Sequence, residues 1–295
     1  MPTTRPARTA HAHRALAGAV LLTLLTGCAA TDGPAATGPA TSGAAGALPA
    51  AHVHAVAVDP GDGALLLATH EGLVEVDDDG RLSPVGPVID LMGFAVAGPD
   101  HYLASGHPGL RTDLPNPVGL IESTDGGVTW TPLSRAGESD FHALTALPGG
   151  GAIGYDGALR RTADGSTWEQ LAVPAEPHTL TAAPDGAGVL ATTAAGLMHS
   201  ADAGTTWASV DGAPLLQVVT WSEDGSAAVG ITPDGAVWTS TDPARSWQPQ
   251  GQLDAAPHAV AATTTNGRLR VVAVTDDGLL ESTDGGVSFT TLLST

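Results

Sequence analysis

The chain has 295 residues, 42% of them hydrophobic and only 4% aromatic, with 31 acidic and 11 basic residues for a net charge of −20. A surface this acidic repels nucleic acid and anionic lipid and attracts cations, which excludes a nucleic-acid partner. All eleven basic residues are arginine, and the single cysteine, Cys28, leaves the rest of the chain without a disulfide, a thiolate metal ligand or a cysteine nucleophile.

Arg5, Arg8 and Arg14 precede an apolar run over 15–25, which leads into Thr26-Gly27-Cys28. This reads as an export signal over 1–27, its apolar run too short to span a bilayer, ending in a lipoprotein cleavage box. Cys28 would become the acylated N-terminus and hold the exported protein in membrane lipid, on the outer face of the cytoplasmic membrane. Cleavage removes three arginines and no acid, so eight arginines face 31 acids and the exported chain carries −23 with histidine neutral. Residues 28–50 are Ala, Gly, Pro, Thr and Ser with little else, a composition that predicts a disordered tether. As a flexible chain it would reach on the order of 25 Å.

From residue 51 the punctuation is that of strands. Runs over 54–58, 64–69 and 72–76, then a short one near Leu82, are rich in Val, Leu and Thr and closed by Gly, Pro or Asp. No helical stripe of useful length follows residue 50. A turn then recurs. It reads Ser123-Thr124-Asp125-Gly126-Gly127-Val128-Thr129-Trp130, returns as Ser200-Ala201-Asp202-Ala203-Gly204-Thr205-Thr206-Trp207, and again as Ser282-Thr283-Asp284-Gly285-Gly286-Val287-Ser288-Phe289. Thr162-Ala163-Asp164-Gly165-Ser166-Thr167-Trp168 is one residue short, and Ser240-Thr241-Asp242-Pro243-Ala244-Arg245-Ser246-Trp247 has Ala244 in place of the turn glycine. The aspartates step by 39, 38, 40 and 42 residues, and Gly72-Leu73-Val74-Glu75-Val76-Asp77-Asp78 aligns as a sixth, degenerate copy.

Four short antiparallel strands per unit, six times over, predict an all-β fold: a six-bladed β-propeller of four-stranded blades over 51–295. The blades would cover 51–87, 88–136, 137–174, 175–212, 213–250 and 251–295. Each would be contiguous in sequence, the ring closing by side-chain packing, and the protein is expected to act as a monomer. The turns resemble the Asp-box, or bacterial neuraminidase repeat, S-x-D-x-G-x-T-W, of sialidases, related glycoside hydrolases, sortilin-type receptors and photosystem-assembly propellers. The resemblance implies that these turns lie on the face opposite the ligand pocket. In such a turn the aspartate accepts backbone N–H bonds, glycine supplies positive φ and the aromatic packs on the blade, so Asp125, Asp164, Asp202, Asp242 and Asp284 are expected to be scaffold.

The opposite rim holds the starts of the innermost strands and the loops between second and third strands. Aligned units place His54, Met92, His142, His178, Gln217 and His258 at one equivalent position, a ring around the channel mouth. His70, His107, Arg111 and Tyr155 join them from loops, and the long insertion 108–120 could cover the site. A histidine here could bond a neighbouring carbonyl, contact a glycan, peptide or other small ligand, or bind metal; zinc or copper would suit, with His54, His142, His178 and His258 as the candidate set. His52 and His54, two apart, are a further metal cue.

An exo-acting glycoside hydrolase is the alternative. Glu71, Glu138, Asp140, Asp156 and Asp277 could supply its acid and base. A true sialidase would need three arginines on the substrate carboxylate, a tyrosine–glutamate pair and a Phe-Arg-Ile-Pro-like segment. The chain lacks that segment, and only Arg111 and Arg135 of the eight retained arginines belong near the rim. No G-x-S-x-G elbow, H-E-x-x-H pair, phosphate loop or dinucleotide fingerprint is present. The balance favours a binding pocket.

Overall fold

The computed structural model describes residues 47–48 and 52–295. Cys28, the expected signal segment 1–27 and the expected tether 28–50, apart from Ala47 and Leu48, lie outside the described residues.

Blade 1 comprises β1 (Val53–Val58), β2 (Leu65–Thr69), β3 (Gly72–Val76) and β4 (Leu82–Val85); blade 2 comprises β5 (Ile89–Gly98), β6 (His101–Pro108), β7 (Leu120–Ser123) and β8 (Thr131–Ser134). Blade 3 follows with β9 (Ala143–Leu147), β10 (Gly151–Tyr155), β11 (Leu159–Thr162) and β12 (Trp168–Leu171), and blade 4 with β13 (Pro177–Ala182), β14 (Val189–Thr193), β15 (Gly196–Ser200) and β16 (Ala208–Ser209). Blade 5 is β17 (Val218–Trp221), β18 (Ala228–Ile231), β19 (Ala236–Asp242) and β20 (Ser246–Gln252); blade 6 is β21 (Pro257–Thr265), β22 (Arg268–Thr275), β23 (Gly278–Ser282) and β24 (Thr290–Ser294). Every sheet is a four-stranded antiparallel meander in chain order. A single 3₁₀ turn, Pro148–Gly150, is the only helical element among the described residues. The fold is the expected all-β, six-bladed propeller.

Burial explains why the strands read as apolar runs rather than as alternating ones. All five residues of β2 are buried. Leu65 and Leu67 pack toward blade 6, whereas Leu66 and Ala68 pack toward blade 2. Both faces of an inner strand therefore meet a neighbouring blade, and the alternation chooses between neighbours, not between core and water. One apolar wedge fills each of the six gaps between blades. Burying a leucine in such a wedge contributes roughly 2 kcal/mol. The seam between blades 1 and 6 joins Val53, Val56, Leu67 and Val74 to Ala259, Val272, Leu279 and Leu293, so the ring closes by side-chain packing with no exchanged strand.

The blade limits differ from expectation at one point. β20 runs to Gln252 because it stays paired with Ala236 of β19, two residues beyond the expected limit at 250. The segment expected as tether also touches the ring: Ala47 bridges Ser294 in parallel, and the Leu48 N–H donates to the Ser294 carbonyl at 2.8 Å. Leu48 packs against the blade 1–blade 6 wedge, a contact invisible in an Ala/Gly/Pro-rich composition.

Blades 1 and 2 share a polar tie at the rim of the β1–β2 turns. Asp59, 2% exposed, accepts bonds from the Gly61 N–H at 2.6 Å, the Asp100 N–H at 2.8 Å and the Tyr102 hydroxyl at 2.7 Å. Burial first, and then the Asp59 carboxylate, push the Tyr102 hydroxyl far above its ordinary pKa.

Candidate functional site

The six expected ring residues all stand at or near the start of an innermost strand, and at four of them a backbone irregularity marks the position. In β1, Val53 pairs with Thr69 and Ala55 with Ala68, leaving His54 unpaired in a β-bulge. The same skip isolates Met92 between Leu91 and Gly93, His178 between Pro177 and Thr179, and His258 between Pro257 and Ala259. His142 and Gln217 sit just before β9 and β17, their N–H groups bonded to the carbonyls of Tyr155 and Ile231. A bulge re-aims a side chain out of the sheet's alternation. Here all six residues line the mouth of a central channel of about 980 Å³ walled by the innermost strands.

The loops between second and third strands bring further groups to the same rim. The Thr69 hydroxyl donates to the Gly72 carbonyl at 2.8 Å and accepts the Glu71 N–H at 3.0 Å, while Gly72 takes φ 108°, a left-handed value a side chain would resist. That locked turn holds His70 at its apex. Thr193 with Gly196 and Thr275 with Gly278 repeat the device, the latter placing Asp276.

Around blade 1 these elements converge. His54 Nε2 lies 3.3 Å from His70 Nδ1 and 3.6 Å from Asp90 Oδ1, and His70 Nδ1 lies 2.8 Å from the same Asp90 oxygen. His52 adds its ring 4.9 Å from that of His54 and 5.3 Å from that of His258. Burial and the neighbouring His70 and His52 rings lower the His54 pKa to about 4, so this imidazole is neutral at pH 7. Burial and then His258 lower His52 as well. Asp90 went unrecognised from sequence. It stands two residues before the ring position, as do His52, Asp140 and Glu176 in their blades, so the same alignment shifted by two would have found it.

Two smaller groups occupy the rest of the rim. Asp140 Oδ2 lies 2.8 Å from His142 Nε2 and 3.2 Å from His107 Nε2, while its Oδ1 is buried without a partner. His258 Nε2 meets Asp276 Oδ1 at 2.7 Å. His178 is exposed, and the Gln217 side chain donates to the Pro257 carbonyl at 2.6 Å. The quartet His54, His142, His178 and His258 is therefore not one ligand set. Equivalent positions in a six-bladed ring stay a blade apart, and among the described residues the imidazoles that come within metal reach of one another are His52, His54 and His70.

The other expected residues divide. Asp156, its side chain 5% exposed, is held by Arg160 at 2.9 Å, by Arg135 and by the Ser139 hydroxyl, which occupies the carboxylate an acid–base role would need free. Glu138 pairs with Arg135 at 3.5 Å. Glu71, Asp277 and Arg111 are exposed, and Tyr155 packs partly buried between blades 3 and 4. The insertion 108–120 is pinned at its far end: the Val118 N–H bonds the Gly106 carbonyl, Val118 is buried, and Asn116 Oδ1 lies 2.8 Å from His107 Nδ1.

The serine–aspartate turns lie between third and fourth strands, at the opposite end of the strands. Asp125 accepts the Thr129 N–H at 2.9 Å and the Thr129 hydroxyl at 2.7 Å, and Ser123 Oγ accepts the Gly127 N–H at 2.8 Å. Asp202 and Asp284 repeat the pattern, and Asp164 accepts the N–H groups of Ser166 and Thr167. These bonds hold the carboxyls of Asp164, Asp202 and Asp284 below the usual range. The fifth turn differs. Without the turn glycine, β19 and β20 stay paired as far as Asp242 and Ser246, and Arg245 lies 3.7 Å from Asp242. In blade 1 the acceptor is Asp77, which takes the N–H groups of Asp79 and Arg81.

No protein-family model matches the chain, and no curated protein matches it in sequence. Solved structures do share its fold. A GH74 xyloglucanase from Xanthomonas campestris superposes with a TM-score of 0.58 at 18% identity, over 82% of this chain but only 38% of the enzyme. The chain thus spans well under half of that enzyme's length. A YCF48 structure bound to D1 peptide gives 0.50 at 19% identity over 81% of this chain and 82% of that one. YCF48 from Cyanidioschyzon merolae gives 0.50 at 14% identity, over 81% and 84%. Identities this low speak to the fold alone.

Proposed function

We propose that this protein is an exported Asp-box β-propeller, anchored through acylated Cys28 to the outer face of the cytoplasmic membrane, whose channel mouth binds a ligand. The observation that carries this reading is the ring: six blades each deliver one side chain to the mouth, four of the six are imidazoles, and three of these, His54, His142 and His258, meet the carboxylates of Asp90, Asp140 and Asp276. The bound peptide of the YCF48 structure supports a ligand-presenting use of this fold.

The hydrolytic alternative draws on the shared fold of the xyloglucanase and on Asp140, whose Oδ1 is buried and unpartnered. Against it, Asp156 and Glu138 are committed to arginines. Hydrogen exchange on the full chain, with panels of peptides, oligosaccharides and divalent cations, locates any ligand regardless of its class. Protection should fall on the segments around 52–54, 90–92 and 140–142. Protection confined to the serine–aspartate turns would overturn the reading. Sugar release from xyloglucan that disappears in Asp140→Asn would favour hydrolysis instead. Incorporation of a labelled fatty acid, absent in Cys28→Ser, tests the anchor.

A further inference from the structure

We infer that His54, His70 and Asp90 form a binding site for a divalent cation of the zinc–copper class, with His52 as the neighbouring fourth donor. The inference rests on the reading of the channel mouth as a ligand-binding face, and it names the ligand and the blade.

The geometry is that of one face of a coordination tetrahedron. His54 Nε2, His70 Nδ1 and Asp90 Oδ1 form a triangle with sides of 3.3, 2.8 and 3.6 Å. Donors bound tetrahedrally at about 2.1 Å are about 3.4 Å apart, and a point about 2.1 Å from all three atoms here lies roughly 0.9 Å off their plane. An ion can therefore reach all three with little movement of the protein. The fourth corner has a candidate: His52, an exposed residue, offers a ring nitrogen within 4.8 Å of the donor atoms of His54 and His70.

Proton accounting points the same way. His54 Nε2 and Asp90 Oδ1 both stand within hydrogen-bonding reach of His70 Nδ1, where the roles depend on the tautomer, and a neutral imidazole has only one N–H to give. If His70 Nδ1 donates to Asp90, it has no lone pair left for His54; if it accepts from His54, it faces the carboxylate lone pair to lone pair. One shared proton serves the cluster poorly, whereas a cation satisfies all three donors at once. The donor set also selects the ion. Two or three imidazoles with one carboxylate suit zinc and copper(II), while calcium and magnesium prefer oxygen shells. The site is open to solvent through His70, 47% exposed, and is framed by the locked Thr69–Gly72 turn and the β5 bulge.

The test is calorimetric titration of the metal-free full chain with Zn²⁺, Cu²⁺, Ca²⁺ and Mg²⁺, each alone. Zinc and copper should bind at one site per chain, copper more tightly. Calcium and magnesium should not bind. Removing one donor should weaken binding by more than about 100-fold, beyond the 10- to 100-fold that outer-shell partners cost. His70→Ala and Asp90→Asn should each show that loss, while His199→Ala, in β15 and outside the channel lining, should bind as the parent does. Cobalt(II), as a spectroscopic substitute for zinc, should give the intense visible absorption of a tetrahedral site in the parent and lose it in Asp90→Asn. Melting curves of each variant without metal check that the fold is intact. Unchanged zinc affinity in both His70→Ala and Asp90→Asn would overturn the inference, as would absence of zinc and copper binding by the parent. If that happens while a peptide or glycan still protects the mouth from exchange, the cation site fails and the ligand-binding mouth stands.

Discussion

Tyr102→Phe deletes one oxygen from the tie between blades 1 and 2 and leaves the ring in place. The hydroxyl donates at 2.7 Å to Asp59 Oδ2, and both residues are 2% exposed, so water cannot substitute for the lost donor. A hydrogen bond to a charged, buried acceptor contributes about 1.5–3 kcal/mol. Asp59 keeps the N–H groups of Gly61 and Asp100, which places the expected loss near the middle of that range, about 2 kcal/mol. The aromatic contact with Phe94, at 5.4 Å between centroids, is retained, so packing should contribute little. For a domain of this size, about 2 kcal/mol corresponds to a fall in Tm of roughly 4–8 °C. Denaturant unfolding and calorimetry at pH 7 measure both quantities. Asp59→Asn and the double variant complete a cycle whose coupling energy isolates the bond. A loss under about 0.5 kcal/mol in Tyr102→Phe, or no coupling in the cycle, would refute the claim that this bond ties the two blades.

Three further outcomes are expected. The carboxyls of Asp164, Asp202 and Asp284 have pKa values depressed by bonds from their own turns, so their contribution to stability is present above the unfolded value near 4 and is lost as pH falls through the folded values. Asp202→Asn and Asp284→Asn should therefore flatten the fall in stability below about pH 4, as read by urea midpoints across an acid series. Gly127→Ala should destabilise by about 2–4 kcal/mol, because φ is 85° and a Cβ would stand 2.4 Å from Leu73 Cδ2 of the adjoining blade; a denaturant midpoint within error of the parent would count against the turn–blade contact. Gly106→Ala places a Cβ 1.9 Å from the Asp90 carbonyl and 2.9 Å from the Met92 nitrogen, so zinc binding should weaken although no donor is altered. Calorimetry at a temperature where the variant is folded checks this, and parental affinity would mean that the bulge does not hold Asp90 in place.

The architecture was legible because a period near forty, four short runs per period and a turn with fixed chemistry all agree on one unit. The ring of six was legible for the same reason: equivalence in sequence became equivalence in space. The bulge at four of the ring positions was not, since a skipped residue between Val53 and Ala55 leaves the apolar pattern on both sides intact. The partnership of His54 with His70 and Asp90 was also hidden. It joins the start of β1, a β2–β3 turn and the start of the next blade, and sixfold alignment ranks residues by sameness, whereas this cluster depends on how one blade differs from the others. The expected metal quartet came from that sameness and does not converge.

The two ends of the strands satisfy their carboxylates in different ways, and this difference carries the functional argument. At the serine–aspartate turns, Asp125, Asp202 and Asp284 are each bonded to N–H and hydroxyl groups within four residues, partners that belong to the turn and cannot leave without unfolding it. At the channel mouth, Asp90, Asp140 and Asp276 are met by imidazoles on other elements, His70 at 2.8 Å, His107 at 3.2 Å and His258 at 2.7 Å. Such side-chain pairs can exchange one partner for another with only a rotamer change. On a chain with a large excess of negative charge, the first arrangement uses acid to build the scaffold and the second keeps acid and imidazole available to a ligand. A cation that replaces a shared proton at His54, His70 and Asp90 requires no backbone movement, which is why the mouth, and within it the blade 1 cluster, is where binding should be sought.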